Sequence, residues 1–349
     1  NGTTIDFEKN VIFKYNDPVK GEVYQPFDSV PEAVSNIASK VVIFSEDESK
    51  QIPVTVTGFK GDVSGRIHLE VPTGWKVVPE EISFQMTFKG EEANFFFTVS
   101  PTKEQSEGYI RPVVRIGDKE FEKSMVEINY DHIPKQSVLL PAESKVVRLN
   151  LAKKGQSIGY IKGAGDEVPK YLKQIGYKVT EVLPQNISTS LLQQFDAVIM
   201  GIRAYNTVPE LKLKQTAILD YVHQGGNVIV QYNTSRGLVL EDNLAPYMLE
   251  LSRDRITDEN AKVSFLNKDH EIMNYPNKIS TADFDGWVQE RGLYFPNKWA
   301  KEFSPILSFQ ENGSAPMEGS LLVAKYGEGY YMYTGLSFFR ELPAGVPGA

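Results

Sequence analysis

Within nine consecutive positions the chain carries Asp283, Phe284, Asp285, Gly286, Trp287, Val288, Gln289, Glu290 and Arg291. Carboxylates beside an aromatic ring suit a sugar: hydroxyls need acceptors, and the C–H face needs an apolar wall. Asp283, Asp285 and Trp287 are therefore candidate ligand-binding residues, and Glu290 is a candidate acid or base. The competing reading is a turn with a buried Trp and a surface ion pair. His270, in Lys268-Asp269-His270-Glu271, is the best placed of the four histidines for base chemistry. His68, on the polar side of a strand, and His223, near a helix end, read as structural.

Three further segments matter because each follows a buried strand. Arg203, Tyr205 and Asn206 follow FDAVIMG, and the planar fork of Arg203 suits a carboxylate or a sugar hydroxyl. Asn233 and Ser235 follow NVIVQ, at the kind of strand-to-helix corner that exposes a nucleophile in hydrolases. Asn233 cannot attack a carbonyl usefully, and no G-x-S-x-G surrounds Ser235. Gly163-Ala164-Gly165 resembles the start of a dinucleotide fingerprint, but Val168 stands where the third glycine belongs. Asp166 and Glu167 put negative charge where a phosphate would sit, so the segment reads as a turn and a helix cap. The chain has no Cys, which removes thiolate nucleophiles, disulfides and Cys-ligated metal together. No H-x-x-x-H pair or His/Asp cluster has metal-ligand spacing, so no metal and no cofactor is expected.

The elements that must hold these residues differ between the two halves. In the first half, Ile67, Leu69 and Val71, then Phe95, Phe97 and Val99, then Val126, Ile128 and Tyr130 alternate with polar neighbours. A period of two marks half-buried strands. With turn signals between them and no helical period, they predict an antiparallel β-sandwich whose core includes Trp75. Residues 1–27 read either as an edge strand or as the tail of a preceding domain. Prolines at 134 and 141 break the pattern, and a boundary is expected near residue 150.

Beyond it, strands and helices alternate. Strands are expected over 157–161, 177–182, 195–201 and 227–231. Val168, Tyr171, Leu172 and Ile175 fall on one helical face, and a second helix spans about 210–224 before Gly225-Gly226. Such alternation predicts a mostly parallel sheet whose ligands lie beyond the strand carboxyl ends, here the loops 162–166, 202–206 and 232–236. The fold class is therefore multidomain, β plus α/β: residues 1–150 an Ig-like antiparallel β-sandwich, and residues 151–349 a flavodoxin-like three-layer α/β domain.

Composition narrows the partners. Lys and Arg number 37 and Asp and Glu 45, a net charge of −8, with no basic cluster to hold a phosphate backbone; nucleic acid is not an expected partner. No apolar run approaches the roughly 20 residues of a membrane span. The chain lacks an initiator Met and a signal-peptide pattern and reads as a processed product or a piece of a larger protein.

On these residues a resemblance emerges. IGYIKGAGDEVPKYLKQIGY, FDAVIMGIRAYN and YVHQGGNVIVQYN resemble class I glutamine amidotransferase-like domains near the trehalose-utilisation type. VPTGWKVVPEEISF and FFFTVSP resemble the sandwich modules of carbohydrate-active enzymes. With FDGWVQERGLYFP and YTGLSFFRELPAGVPGA, the whole is similar to the C-terminal region of large PIG-L/LmbE-type deacetylases of Bacteroidetes-like bacteria. The resemblance implies a covalently linked upstream catalytic domain, a carbohydrate ligand and a periplasmic or cell-surface location. It also implies no catalysis here: the zinc-binding H-P-D-D-type motif is absent, and the family's Cys aligns near Asn233. The expected function is a non-catalytic accessory region. The alternatives are a sugar-processing enzyme of trehalose-utilisation type, requiring His270, Asp283 or Asp285, Glu290 and Arg203 to converge, and a structural or protein-interaction module.

Overall fold

The structure is a computed structural model and describes residues 2, 4–9, 11–240 and 244–349. The chain is mostly β and divides into two compact units. The first comprises Asn1–Lys40, Asp47–Lys103 and Glu107–Val146, and the second Val41–Glu46, Glu104–Ser106 and Val147–Ala349. The division falls inside the strand Ser144–Arg148, with two short segments of the first half assigned to the second unit.

The first unit carries two antiparallel sheets with β-sandwich character. One runs Ala33–Ile37, Lys50–Gly58, Glu92–Ser100, Lys76–Val78 in spatial order. The other includes, in order, Ser144–Arg148, Ser106–Ile116, Val63–Glu70 and Glu81–Met86. The period-two residues Ile67, Leu69, Phe97 and Val99 are buried, as is Trp75. One segment departs from expectation. Among the described residues Lys123–Ile128 pairs only with Gln136–Pro141, as a two-stranded ribbon, and leaves Val126 and Tyr130 exposed. The ribbon covers its apolar side chains only in part, so alternation alone did not distinguish it from a core strand. Ile12–Asp17 and Gly21–Pro26 form a two-stranded ribbon of their own.

The second unit is built on a seven-stranded sheet. Its strands are β1 (Ser157–Ile161), β2 (Lys178–Glu181), β3 (Ala197–Met200), β4 (Asn227–Gln231), β5 (Phe303–Pro305), β6 (Leu321–Tyr326) and β7 (Gly329–Thr334). Their spatial order is β2-β1-β3-β4-β7-β6-β5. β2 through β7 run parallel, and β6 and β5 complete the sheet antiparallel. The helices are α1 (Val168–Gln174), α2 (Thr189–Leu192), α3 (Ala204–Thr207), α4 (Leu211–His223) and α5 (Phe338–Ala344).

Local chemistry sets these elements. α1 tolerates Pro169 in its first turn, where no backbone donor is needed, and the chain reverses at Gly176 with φ +92°. Ser188 caps α2 by accepting from Leu191 N. α4 buries Leu211, Gln215, Ile218, Tyr221 and Val222 on one stripe and ends before Gly225, φ +106°. One sheet face packs Val198, Met200, Val228, Val230, Tyr331 and Tyr333 into the α4 cluster. On the other face, Ile158, Tyr160 and Ile199 pack with Val168 and Leu172 of α1 and with Phe339 and Leu342 of α5. β1, β3, β4 and β7 are apolar on both faces, as a covered parallel sheet requires.

Candidate functional site

The chain passes from one side of β1 to the other between β2 and β3, so the carboxyl ends of β1 and β3 flank the switch point where open α/β sheets take ligands. Here that gap is closed by the protein itself. Ala164 N donates to Ile202 O at 2.8 Å, and a Cβ on Gly163 would stand 2.1 Å from Ile202 O and 2.7 Å from Ala204 N. Glycine is required because two backbones meet. Asp166 fills the rest: it accepts from Tyr160 Oη at 2.6 Å, Val168 N at 3.0 Å and Ile202 N at 3.3 Å. Burial, with the Asp166 charge beside it, raises the Tyr160 phenol well above its ordinary value. Gly163-Ala164-Gly165 is thus a packing turn followed by a cap, with no cradle for a phosphate.

The corner after β4 is also occupied. Asn233 is fully buried. Its Oδ1 accepts from Tyr205 N at 2.9 Å, its Nδ2 donates to Gln231 O at 2.9 Å, and its own N–H donates to Tyr333 Oη at 3.0 Å. Asn206 ties the same loops together, donating from Nδ2 to Thr234 O and Arg236 O and accepting from Thr234 N at 2.8 Å. Tyr205 is fully buried and donates to Gln215 Oε1 at 2.7 Å. Three residues expected to meet ligand therefore serve as staples. Tyr205 and Asn206 lie in the short α3 and Asn233 just past β4, where buried backbone donors and acceptors need partners once water is excluded.

Arg203 behaves differently. It holds φ +56°, a left-handed conformation that costs a non-glycine residue roughly 1 kcal/mol or more. It is half-buried, and its Nε is sealed from solvent with no hydrogen-bond partner. Among the described residues its guanidinium forms no ion pair. Only four non-glycine residues among those described have φ in this region, and three of them, Arg203, Gln289 and Tyr294, gather here. Tyr232 joins them: its phenol lies in the fields of Arg203, Arg340, Glu290 and Tyr294, with burial the dominant influence raising its pKa. The rings of Tyr232 and Tyr294 are 9° from parallel with centroids 6.1 Å apart, and Phe339 stands 5.1 Å from Tyr232. Glu290, 2% exposed, receives Arg255 Nη2 at 2.7 Å and Arg340 Nε at 3.0 Å. Nearby, Gln231 is buried at the end of β4, donating to Tyr160 Oη at 3.0 Å while its Oε1 lacks a partner. The result is a polar site beyond β3, β4 and β7, walled by aromatic rings and one strand removed from the closed switch point.

The segment 283–291 builds this site from behind. Trp287 is 4% exposed: Phe284 stacks on it at 5.3 Å, Phe338 lies at 5.9 Å, and its Nε1 donates to Asp283 O at 2.9 Å. It is a core residue and offers no open face to a sugar. Asp283 closes a capping box, its carboxylate accepting from Ser280 N at 2.7 Å, and Asp285 is exposed. Arg291 is buried over the rings of Phe284, Trp287 and Phe309 at 5.5–5.9 Å, and burial lowers its pKa. Its Nη1 donates to Phe284 O. Only Gln289 and Glu290 of the segment reach the site. His270 does not: its Nδ1 accepts from Ile272 N at 3.2 Å, and Ile272 and Pro276 lie with Ser157, Ala197 and Asn227 at the amino ends of the strands, the opposite edge of the sheet. The four groups a sugar-processing site would need are thus dispersed, with only Arg203 and Glu290 brought together. Sequence reading missed Tyr232, Tyr294, Phe339 and Arg340; no local pattern marks them, because three separate parts of the chain deliver them: the end of β4, the strand Gly292–Trp299 and α5.

No protein-family model matches this chain, and no curated protein matches it. Among solved structures, a fragment of native alpha-2-macroglobulin from Escherichia coli is similar at 10% identity and TM-score 0.21, over 33% of this chain and 16% of that one. WR4, a C. elegans MSP family member, is similar at 9% identity and TM-score 0.20, over 33% of this chain and 97% of that one. A family 123 glycoside hydrolase from Clostridium perfringens is similar at 10% identity and TM-score 0.21, over 59% of this chain and 38% of that one. At such scores these likenesses carry no argument about function.

Proposed function

We propose that this chain is a non-catalytic accessory region of a larger carbohydrate-related bacterial deacetylase. Its second unit is then a flavodoxin-like, degenerate class I amidotransferase-like domain that binds glycan at the site around Arg203, and its first unit is an Ig-like sandwich. The observation that carries the reading is Asn233. The position where a nucleophile would stand holds a fully buried amide with both side-chain polar atoms engaged in the protein's own backbone. A group so placed can neither attack nor be approached. Binding is supported separately, by Arg203, Gln289 and Tyr294 held in strained backbone beside aromatic walls. Strain of this kind persists where surrounding packing imposes it, and it clusters at ligand sites. On this reading the region would present glycan to a linked catalytic domain, in the periplasm or at the cell surface.

The test uses the purified chain. It is expected to release no ammonia from glutamine and no acetate from N-acetylated sugars, and to bind members of a panel of monosaccharides and short glycans in calorimetric titration. Bound sugar should shift NMR signals of residues 203, 289 and 294. Turnover of either substrate class overturns the non-catalytic half of the proposal. A panel silent throughout overturns the binding half.

A further inference from the structure

We propose that Ser337 Oγ is the moving part of a pH-operated clamp: it holds the Glu290 carbonyl while Glu341 carries a proton, and turns to the Glu341 carboxylate, releasing segment 288–291, when that proton leaves. The device belongs to the fold itself, goes beyond the binding reading above and is tested without a ligand.

A serine hydroxyl has one proton to give. Ser337 Oγ stands 2.6 Å from Glu290 O, 3.3 Å from Arg291 O and 3.2 Å from Glu341 Oε1. The shortest contact takes the proton, so the Glu290 carbonyl accepts it. Two oxygens with no proton between them repel. The contact with Glu341 Oε1 is therefore favourable only when the Glu341 carboxyl is protonated and donates to Ser337 Oγ. Its other oxygen accepts from Val288 N at 2.9 Å. Glu341 is fully buried, and burial pushes its carboxyl up to about 7. Once the proton has gone to solvent, Oε1 is a charged acceptor, and a hydrogen bond to it is roughly twice as strong as one to a neutral carbonyl. Ser337 then turns to the carboxylate, and Glu290 O, in a residue 2% exposed, loses that donor.

The charges around Glu341 leave this exchange intact. Arg291 and Arg340 face it. Arg340 also donates to Glu290 Oε1 at 3.0 Å, while Arg255 donates to Glu290 Oε2 at 2.7 Å and lies near Glu311. Arg291 stands in the fields of Asp258, Glu259 and Asp285 as well. α1 meets α5 through Tyr171 and Leu342, and its Lys170 pairs with Glu167. Both facing arginines are shared with other carboxylates, and burial prevails over their pull on Glu341. Between the two clamped positions, Gln289 holds φ +68°, a conformation that persists only where its surroundings impose it. Release of Glu290 O therefore loosens strained backbone at the edge of the Arg203 site.

NMR of the ligand-free chain from pH 5.5 to 8.5 tests the clamp. The side-chain carboxyl 13C signal of Glu341 and the backbone carbonyl 13C signal of Glu290 are expected to titrate together with a midpoint at about 7, the Glu290 signal moving upfield as its hydrogen bond is lost. In Glu341→Gln the Glu290 carbonyl should keep its acid-side position throughout. In Ser337→Ala the Glu341 carboxyl should still titrate, while the Glu290 carbonyl sits at the released position at every pH. A Glu341 carboxyl that does not titrate in this range, or that titrates without moving the Glu290 carbonyl, overturns the proposal. So does a Glu290 shift that survives Glu341→Gln, since another group then drives it, or one that survives Ser337→Ala, since it is then the field of the charge alone.

Discussion

Glu341 offers the sharpest physical test of how the second unit is held together. It is fully buried in α5, where its Oε2 accepts from Val288 N at 2.9 Å and its Oε1 meets Ser337 Oγ at 3.2 Å. Burial pushes its carboxyl from 4.5 up to about 7, outweighing the opposing pull of those hydrogen bonds and of Arg291 and Arg340. The folded chain therefore binds a proton on Glu341 that the unfolded chain has lost, between pH 4.5 and about 7. Stability from this group is complete at low pH and declines as pH rises through that window. A displacement of about 2.5 units at roughly 1.4 kcal/mol each makes the cost about 3 kcal/mol above pH 7. Glu341→Gln removes the titration and can keep both contacts, its oxygen accepting from Val288 N and its amide donating to Ser337 Oγ. Urea unfolding followed by tryptophan fluorescence should find the two proteins nearly equal at pH 4.5, with the variant more stable by about 3 kcal/mol at pH 8. A stability difference that does not change between pH 4.5 and pH 8, or a variant weaker at pH 8, would refute the buried-acid account.

Three other outcomes follow from the geometry. Asn233→Ala leaves Tyr205 N and Gln231 O unpaired in a dry interior and should cost about 2–4 kcal/mol in denaturant unfolding, with no gain of glutaminase activity. Gly163→Ala drives a methyl group into Ile202 O and the Ala204 backbone; a destabilisation of about 3 kcal/mol or more is expected by calorimetry, and a melting temperature within a degree of wild type would show that the two loops can separate freely. Trp287→Phe should lower stability by about 1–2 kcal/mol through lost core volume, yet leave saccharide affinity unchanged, because its ring packs behind the site rather than in it.

Much of the second unit was legible in residue order. The apolar runs at 157–161 and 227–231 match β1 and β4 to the residue, and the stripe of α4 with its glycine stop is a local, periodic signal. In the first half the same reasoning located the core strands, but it also marked Val126 and Tyr130 as buried. Alternation reports that a segment is extended with one apolar side; it does not report whether another sheet covers that side.

The candidate site divides along the same line. Residue types alone determine that no thiolate exists at the corner after β4, since the chain has no Cys, and that Arg203 follows a buried strand. What each polar side chain does with its hydrogen-bonding capacity was decided only by the folded chain. Asn233, Asn206 and Tyr205 are spent on partners distant in sequence, Trp287 is stacked into a core, and Arg203 is left without an ion pair among the described residues, beside Tyr232, Tyr294 and Arg340. Local propensity sets the backbone of a strand or helix over a few residues, whereas the partner of a buried polar group is whatever the tertiary contacts bring within about 3 Å of it.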